Sequence, residues 1–376
     1  MTLDTLTFSQ QLINRASVTP SDGGCLALIE QALRPYGFKA EYVNQGVVKN
    51  LYLTQGVKGP LMVFLGHVDV VPPGPPEAWA HDPFTATVNE GYLYGRGSAD
   101  MKTAIAAFVV AVQRVINSSN LLPFRLGLLL TSDEEGPGLD GIRHVMKVLQ
   151  HRGEHIDYCL VGEPSSTKHL GDTLKIGRRG SLSFNLIIHG IQGHIAYPQF
   201  AHNPIHCFAP ILQRLITTTW DQGYVDFEAT TFQCSHIHAG VGATNIIPGE
   251  LTLNANFRYA PSVTAEYLRH QVEHILNDAH LKYSIEWHHS GEPFISAPGP
   301  LRAAAIHAIE TITGLIPNCS TDGGTSDGRF VAPTGTEVIE LGVCNKTIHQ
   351  IDECVKISDL DTLTAIYTEL LTRLNA

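Results

Sequence analysis

The sequence predicts an α/β domain with a mostly parallel sheet, interrupted by a smaller α+β domain. Three observations carry this. Short apolar runs at 61–65 (LMVFL), 124–131 (FRLGLLLT) and 158–161 (YCLV) read as strands buried on both faces. An Ala/Val-rich stretch with helical periodicity at 101–116 separates the first two, and such alternation produces parallel strands. After 176–180 (IGRRG) the pattern switches to residue-by-residue alternation over 181–189 (SLSFNLIIH).

Helical stretches at 204–218 and 263–279 follow, with strands at 231–236, 250–259 and 281–288. This order, strand-helix-strand-strand-helix-strand, is ferredoxin-like. From residue 294 the pattern returns to α/β and closes on a helix at 358–375. The expected boundaries are 1–179 and 293–376 for the larger domain and 180–292 for the insertion, whose Gly- and Pro-bearing edges suit hinges. Near the front, Ser21 is expected to cap a helix that ends at Gly37.

A chain of 376 residues carries two or three domains. Its 43% hydrophobic and 16% charged residues support a sizeable core. The net charge of −11 argues against nucleic acid and anionic membrane as partners. No apolar run approaches the ~18 residues that span a bilayer. The opening MTLDTLTFSQ lacks the basic and apolar regions of a secretory signal. Seven scattered cysteines without C-x-x-C predict reduced thiols in a cytoplasmic protein, and leave any zinc to His, Asp and Glu.

The chemistry gathers at strand ends. Gly66-His67-Val68-Asp69 directly follows the 61–65 run, and ligands of open α/β sheets bind beyond the carboxyl ends of strands. Asp69 is placed to accept a hydrogen bond from the His67 ring and fix its tautomer. Gly95–Lys102 (GRGSADMK) matches neither a Walker loop nor a dinucleotide fingerprint, and Asp100 alone reads as a helix N-cap. Asp133-Glu134-Glu135 follows a buried strand; three adjacent acids repel unless a cation offsets them, and a carboxylate left off the metal serves as a general base. Glu163 follows the 158–161 strand, and His349 precedes Glu353 near the C-terminus. A mixed His/carboxylate set of this kind suits a pair of borderline divalent ions, most simply zinc.

The strings GHVDVVPPG, GYLYGRGSADMK, TSDEEG, GEPSS and GHIAYP resemble the dinuclear zinc aminoacylase/deacylase family, which includes peptidases and acetylornithine deacetylase, across about residues 5–375. KIGRRGS, NIIP, SGEPF, STDGGTSDGRF and IHQIDECV resemble its desuccinylase branch more narrowly. The resemblance implies a zinc-peptidase-like catalytic domain and a ferredoxin-like dimerisation domain. It implies two zinc ions, with cobalt an alternative at either site: His67 and Glu163 on one, Glu135 and His349 on the other, Asp100 bridging. It assigns Glu134 as general base and Asp69 as partner of His67, with a cis peptide after Asp100. It also implies a homodimer in which His194 reaches the neighbouring subunit's site and stabilises an oxyanion. Arg178, Arg179, Ser181, Tyr197, Asn245, Arg258, Gly324, Thr325 and Asn345 are implied substrate contacts. The three arginines suit the substrate's carboxylates, and their place at or within the inserted domain predicts hinge closure.

The implied reaction is hydrolysis of N-succinyl-LL-2,6-diaminopimelate to succinate and LL-2,6-diaminopimelate. The competing expectation is a sister N-acyl amino acid deacylase, such as one acting on acetylornithine. Two positions depart from the family pattern, Thr103 after DMK and Cys344 beside Asn345. Neither removes an expected ligand or the base.

Overall fold

A computed structural model describes residues 3–118 and 122–374. Its residues fall into two compact units, one of Met1–Gly177, Ile295–Ser320 and Ser326–Ala376, the other of Arg178–Phe294 and Thr321–Thr325. The short Thr321–Thr325 return carries Gly324 and Thr325 and gave no sequence signal of its grouping.

The larger unit is built on an eight-stranded mixed sheet. Its order is Lys39–Tyr42, Asn50–Gln55, Arg125–Thr131, Leu61–His67, Tyr158–Val161, Glu337–Glu340, Thr173–Lys175, Asn318–Ser320. The three apolar runs are its parallel centre, and every residue of Leu61–His67 is buried. Leu61–His67 lies between the other two, with His67 opposite Thr131 and Leu65 opposite Val161. The carboxyl ends of three neighbouring strands therefore open at one edge, and the chain delivers His67, Asp133-Glu134-Glu135 and Glu163 there.

Helix Thr103–Asn117 is buried continuously from Thr103 to Gln113, as its all-round Ala/Val composition requires. It packs against Ile357–Arg373 and Thr5–Ile13. Phe64 stacks on Phe108 at 4.3 Å, and Tyr367 meets both rings edge-on. The Tyr367 hydroxyl donates to the Leu341 carbonyl, so the aromatic core leaves no polar cost there.

Two expected helix boundaries move. Ser21 does not cap: the helix is Cys25–Leu33, begins after Gly24 and has no side-chain cap. Ser21 Oγ instead accepts from Gly23 N–H, and Asp22 from Gly24 N–H, because a tight turn precedes the helix. The helix passes into a 3-10 turn, Arg34–Tyr36, and Gly37 at φ +85° ends it. The closing helix is Ile357–Arg373, and residue 375 of the expected span lies outside the described residues.

The smaller unit is a four-stranded antiparallel sheet, ordered Thr231–Ala239, Glu250–Tyr259, Gly180–His189, Tyr283–Gly291, with helices Pro204–Thr217 and Ala265–Asp278. This is the ferredoxin-like arrangement. Inward residues alternate along Gly180–His189, where Leu182, Phe184, Leu186 and Ile188 enter one core with Phe257, Leu268 and Val272. The side chain of Thr264 caps the second helix through Tyr267 N–H at 3.1 Å.

Candidate metal centre and active site

The strand ends bring a compact His/carboxylate cluster together in the larger unit. His67 Nε2 stands 3.1 Å from Asp100 Oδ1 and 3.6 Å from Glu163 Oε1. His349 Nε2 stands 2.9 Å from Glu135 Oε1 and 3.5 Å from Asp100 Oδ2. Ligand atoms of His67, Asp100 and Glu135, and of His67, Glu134 and Glu163, all lie within 4.8 Å of one another. All seven expected residues of this centre, Asp69 included, lie in one unit.

Asp100 does not cap the helix. It lies in a kinked turn, Ser98–Lys102, and the Asp100–Met101 peptide is cis. Room for Met101 comes from glycine on two neighbouring strand ends. A Cβ on Gly66 would stand 2.5 Å from Met101 Cε, and one on Gly162 2.6 Å from it and 2.4 Å from Phe64 Cζ. The glycines of GHVD and GEP are thus packing requirements. Thr103 is accounted for too, since its hydroxyl donates to Ser98 O at 2.6 Å and ties the turn to the helix start. Lys102 is fully buried, its ammonium donating to the carbonyls of Leu12 and Arg15.

Asp69 differs from its expected role. His67 Nδ1 is 2.9 Å from the Asp69 main-chain carbonyl, while the carboxylate stands 3.7 Å away. The carbonyl accepts from the ring and leaves Nε2 for the cluster. The carboxylate accepts from Glu134 N–H at 3.3 Å and Glu135 N–H at 3.1 Å. It holds the acidic turn.

Electrostatics without a cation are strained. Burial, Asp327 and Glu135 push the Glu134 carboxyl up to about 8 against the pull of His67. Burial, then the Asp100 and Glu134 charges, raise Glu163 well above the usual range. Burial opposes charge on Asp100, yet hydrogen bonds from both imidazoles hold its carboxyl below the ordinary range. His349 is raised to about 10 by Asp100 and Glu135. His67 is raised despite burial, through Asp100 and Glu163. Such a set binds protons where cations would fit, and its nitrogen and oxygen donors match a borderline divalent ion.

Sequence reasoning gave Glu353 no role. It is fully buried and accepts from Arg96 Nη1 at 2.7 Å and from the N–H groups of Gly97, Ala99 and Asp100 at 3.0, 2.8 and 3.0 Å. A single acid beside a short strand carries no signal of such a role. Asp327 was missed likewise: buried, it has its carboxyl pushed up to about 6 by desolvation.

The remaining expected residues fall elsewhere. In the smaller unit, Arg178 is buried and donates to Asp322 O at 3.0 Å. Arg179 lies 3.6 Å from Glu228. Ser181 stands directly opposite Arg258 and its hydroxyl accepts from Asn256. His194 and Tyr197 are exposed, with ring centroids 5.7 Å apart. Asn245 O accepts from Ile195 N–H beside them. Gly324 and Thr325 occupy the short return. Asn345 belongs to the larger unit, where its N–H donates to Ser166 O at 2.9 Å.

Comparison with known proteins matches this architecture. The model of peptidase family M20/M25/M40 covers residues 63–373. A succinyl-diaminopimelate desuccinylase of Nitrosococcus oceani is 53% identical over 367 residues, 98% of each chain. One from Xanthomonas campestris pv. campestris is 51% identical over 374 residues, all of each chain. Among solved structures, an M20 family metallo-carboxypeptidase of Sulfolobus solfataricus superposes with a TM-score of 0.86 at 17% identity, covering 99% of each chain. A Bacillus subtilis protein described as a dinuclear metal binding peptidase of the M20 family gives 0.70 at 13% identity, over 98% of this chain and 96% of its own. The matched stretch begins inside the strand that ends at His67 and runs past His349, so the whole cluster lies within it, and the chain belongs to peptidase family M20/M25/M40.

Proposed function

We propose that the chain is a metal-dependent amidohydrolase that converts N-succinyl-LL-2,6-diaminopimelate to succinate and LL-2,6-diaminopimelate. The observation that carries this is full-length identity of about half to relatives of that name, with an intact His/carboxylate cluster beside a spare carboxylate. In this reading His67 and Glu163 hold one divalent ion, Glu135 and His349 the other, and Asp100 serves both. Zinc suits the donors best, and cobalt accepts the same set. When bound, the pair acidifies a water and polarises the amide carbonyl.

Glu134 then accepts the proton of the attacking water. A C–O bond forms at the amide carbon, the C–N bond breaks, and Glu134 returns the proton to the leaving amine. Burial raises the Glu134 carboxyl above the usual carboxylate range, and bound cations would pull it back. Asp69 keeps the Glu134–Glu135 turn in place through two main-chain bonds.

The substrate carries carboxylates, and Arg178, Arg179 and Arg258 supply guanidinium partners for them. Ser181, Tyr197, Asn245, Gly324, Thr325 and Asn345 complete the contacts. His194 stabilises the oxyanion of a neighbouring subunit's site, within a homodimer formed through the smaller unit. Support for the dimer comes from the exposed Ile191, Ile195, Phe200, Val241 and Ile246 on that unit. Support for a cytoplasmic setting comes from seven free thiols and from the absence, among the described residues, of any helix long and apolar enough to cross a membrane.

The test is hydrolysis by chelated protein titrated with zinc from zero to two equivalents, with N-succinyl-LL-diaminopimelate and N-acetylornithine in parallel. Activity on the first alone is expected, lost in Glu134→Ala with metal still bound. Activity on acetylornithine instead would replace the substrate and keep the site.

A further inference from the structure

The loop that carries Asp100 and the loop that carries His349 are joined by a buried ion pair. Glu353 Oε2 accepts from Arg96 Nη1 at 2.7 Å and from Gly97 N–H, and Oε1 accepts from Ala99 and Asp100 N–H. The same Arg96 nitrogen donates to the carbonyl of Gln350, the residue after His349. Trp79 covers the guanidinium at 5.1 Å. Arg96 and Glu353 are 2% and 0% exposed.

Three consecutive or near-consecutive N–H groups converging on one carboxylate fix a loop's path with little freedom. Here the fixed path is Gly97–Asp100, which ends on the carboxylate between the two imidazoles. The bond from Arg96 to Gln350 fixes the second loop beside the first. His349 itself sits at φ +60°, a conformation that costs a non-glycine residue energy and that its surroundings must enforce.

We propose that Glu353, with Arg96, is a positioning residue of the metal centre. It sets the separation between Asp100 Oδ2 and His349 Nε2, and so governs occupancy of the Glu135/His349 side. Glu353 touches neither substrate nor metal in this assignment. The inference rests on the reading of the cluster as a two-ion centre, and its test separates the two.

The experiment is calorimetric titration of chelated full-length protein with Zn²⁺, together with the absorption spectrum of the cobalt-loaded protein. Wild type is expected to bind two ions in resolvable steps; failure of that overturns the two-ion centre. In Glu353→Gln the amide NH2 faces main-chain N–H donors. The step assigned to the Glu135/His349 side, identified as the one that Glu135→Gln also weakens, is expected to lose about 10- to 100-fold in affinity, the range for groups that orient metal ligands. The other step should lose at most a few-fold, and the cobalt bands should change on one equivalent only. A melt of the metal-free variant within a few degrees of wild type shows that the fold is retained. If Glu353→Gln does not fold, Arg96→Lys decides, since it keeps the charge and removes the guanidinium nitrogen that bonds both Glu353 and the Gln350 carbonyl. A smaller loss confined to the same step is expected there. Wild-type affinity at both steps with unchanged cobalt bands, in Glu353→Gln or, failing that, in Arg96→Lys, overturns the role. An equal loss at both steps does so too, because it marks general loosening.

Discussion

Asp100 stands between two imidazoles that come from opposite ends of the chain, Oδ1 3.1 Å from His67 Nε2 and Oδ2 3.5 Å from His349 Nε2. One carboxylate therefore belongs to both halves of the cluster. Removing it in Asp100→Ala should cost both centres at once. Zinc stoichiometry should fall from two to one or none, and kcat/KM by about three orders of magnitude if several kcal/mol of metal-derived stabilisation are lost. Elemental analysis after dialysis, paired with the hydrolysis assay, checks this. Retention of two tightly held ions would remove Asp100 from the bridging role.

The same geometry fixes the direction of a proton flux. Without metal, His349 keeps its proton until about pH 10, because Asp100 and Glu135 face it. Metal binding needs the neutral ring. Loading at pH 7.5 must therefore expel protons, and apparent affinity must rise with pH across the neutral range. Calorimetry in two buffers of different ionisation enthalpy measures the number released, and a value above zero is expected. In Glu135→Gln the His349 value should fall toward its ordinary range and the count with it.

Asp69 provides a prediction that separates its two polar groups. The main-chain carbonyl holds the His67 ring, and the carboxylate holds the N–H groups of Glu134 and Glu135. Asp69→Asn leaves the carbonyl in place and turns an NH2 toward one of those donors. We expect kcat to fall by about 10- to 100-fold, as for other groups that orient a site. Affinity on the His67/Glu163 side should stay within a few-fold. Equal loss of that affinity would mean the carboxylate acts through the imidazole after all.

Much of this was legible in the sequence, for identifiable reasons. Runs such as LMVFL at 61–65, too short for a helix and set among helical stretches, point to a strand buried on both faces. His67, Glu134, Glu135 and Glu163 advertise themselves by falling two to four positions after such runs. The alternation of 181–189 likewise has one solution, a sheet with one buried face. The edge strand Lys39–Tyr42 was not legible, since it is exposed along its whole length and carries no buried period. Ser21 misled because the cap rule reads a side chain, whereas a turn with Gly24 at φ +84° starts that helix. Glu353 and Arg96 are 257 positions apart and meet only in three dimensions. Nothing local in a sequence reports such a pair.

Gly162 lies between the Tyr158–Val161 strand and Glu163. A methyl group there would stand 2.4 Å from Phe64 Cζ and 2.6 Å from Met101 Cε, and neither side chain has exposed surface to retreat into. Overpacking of this kind costs about 1–3 kcal/mol. For a unit of this size that is a drop of roughly 2–4 °C in Tm per kcal/mol. The displaced Met101 follows Asp100 directly, so Gly162→Ala should also weaken metal binding, whereas an ordinary core defect would lower Tm alone. Phe64→Leu in the same chain frees space on one side of the added methyl. If that pair regains metal affinity while remaining less stable than wild type, the glycine acts through Met101 on the centre. If affinity in Gly162→Ala is unchanged at lowered Tm, the glycine serves packing only.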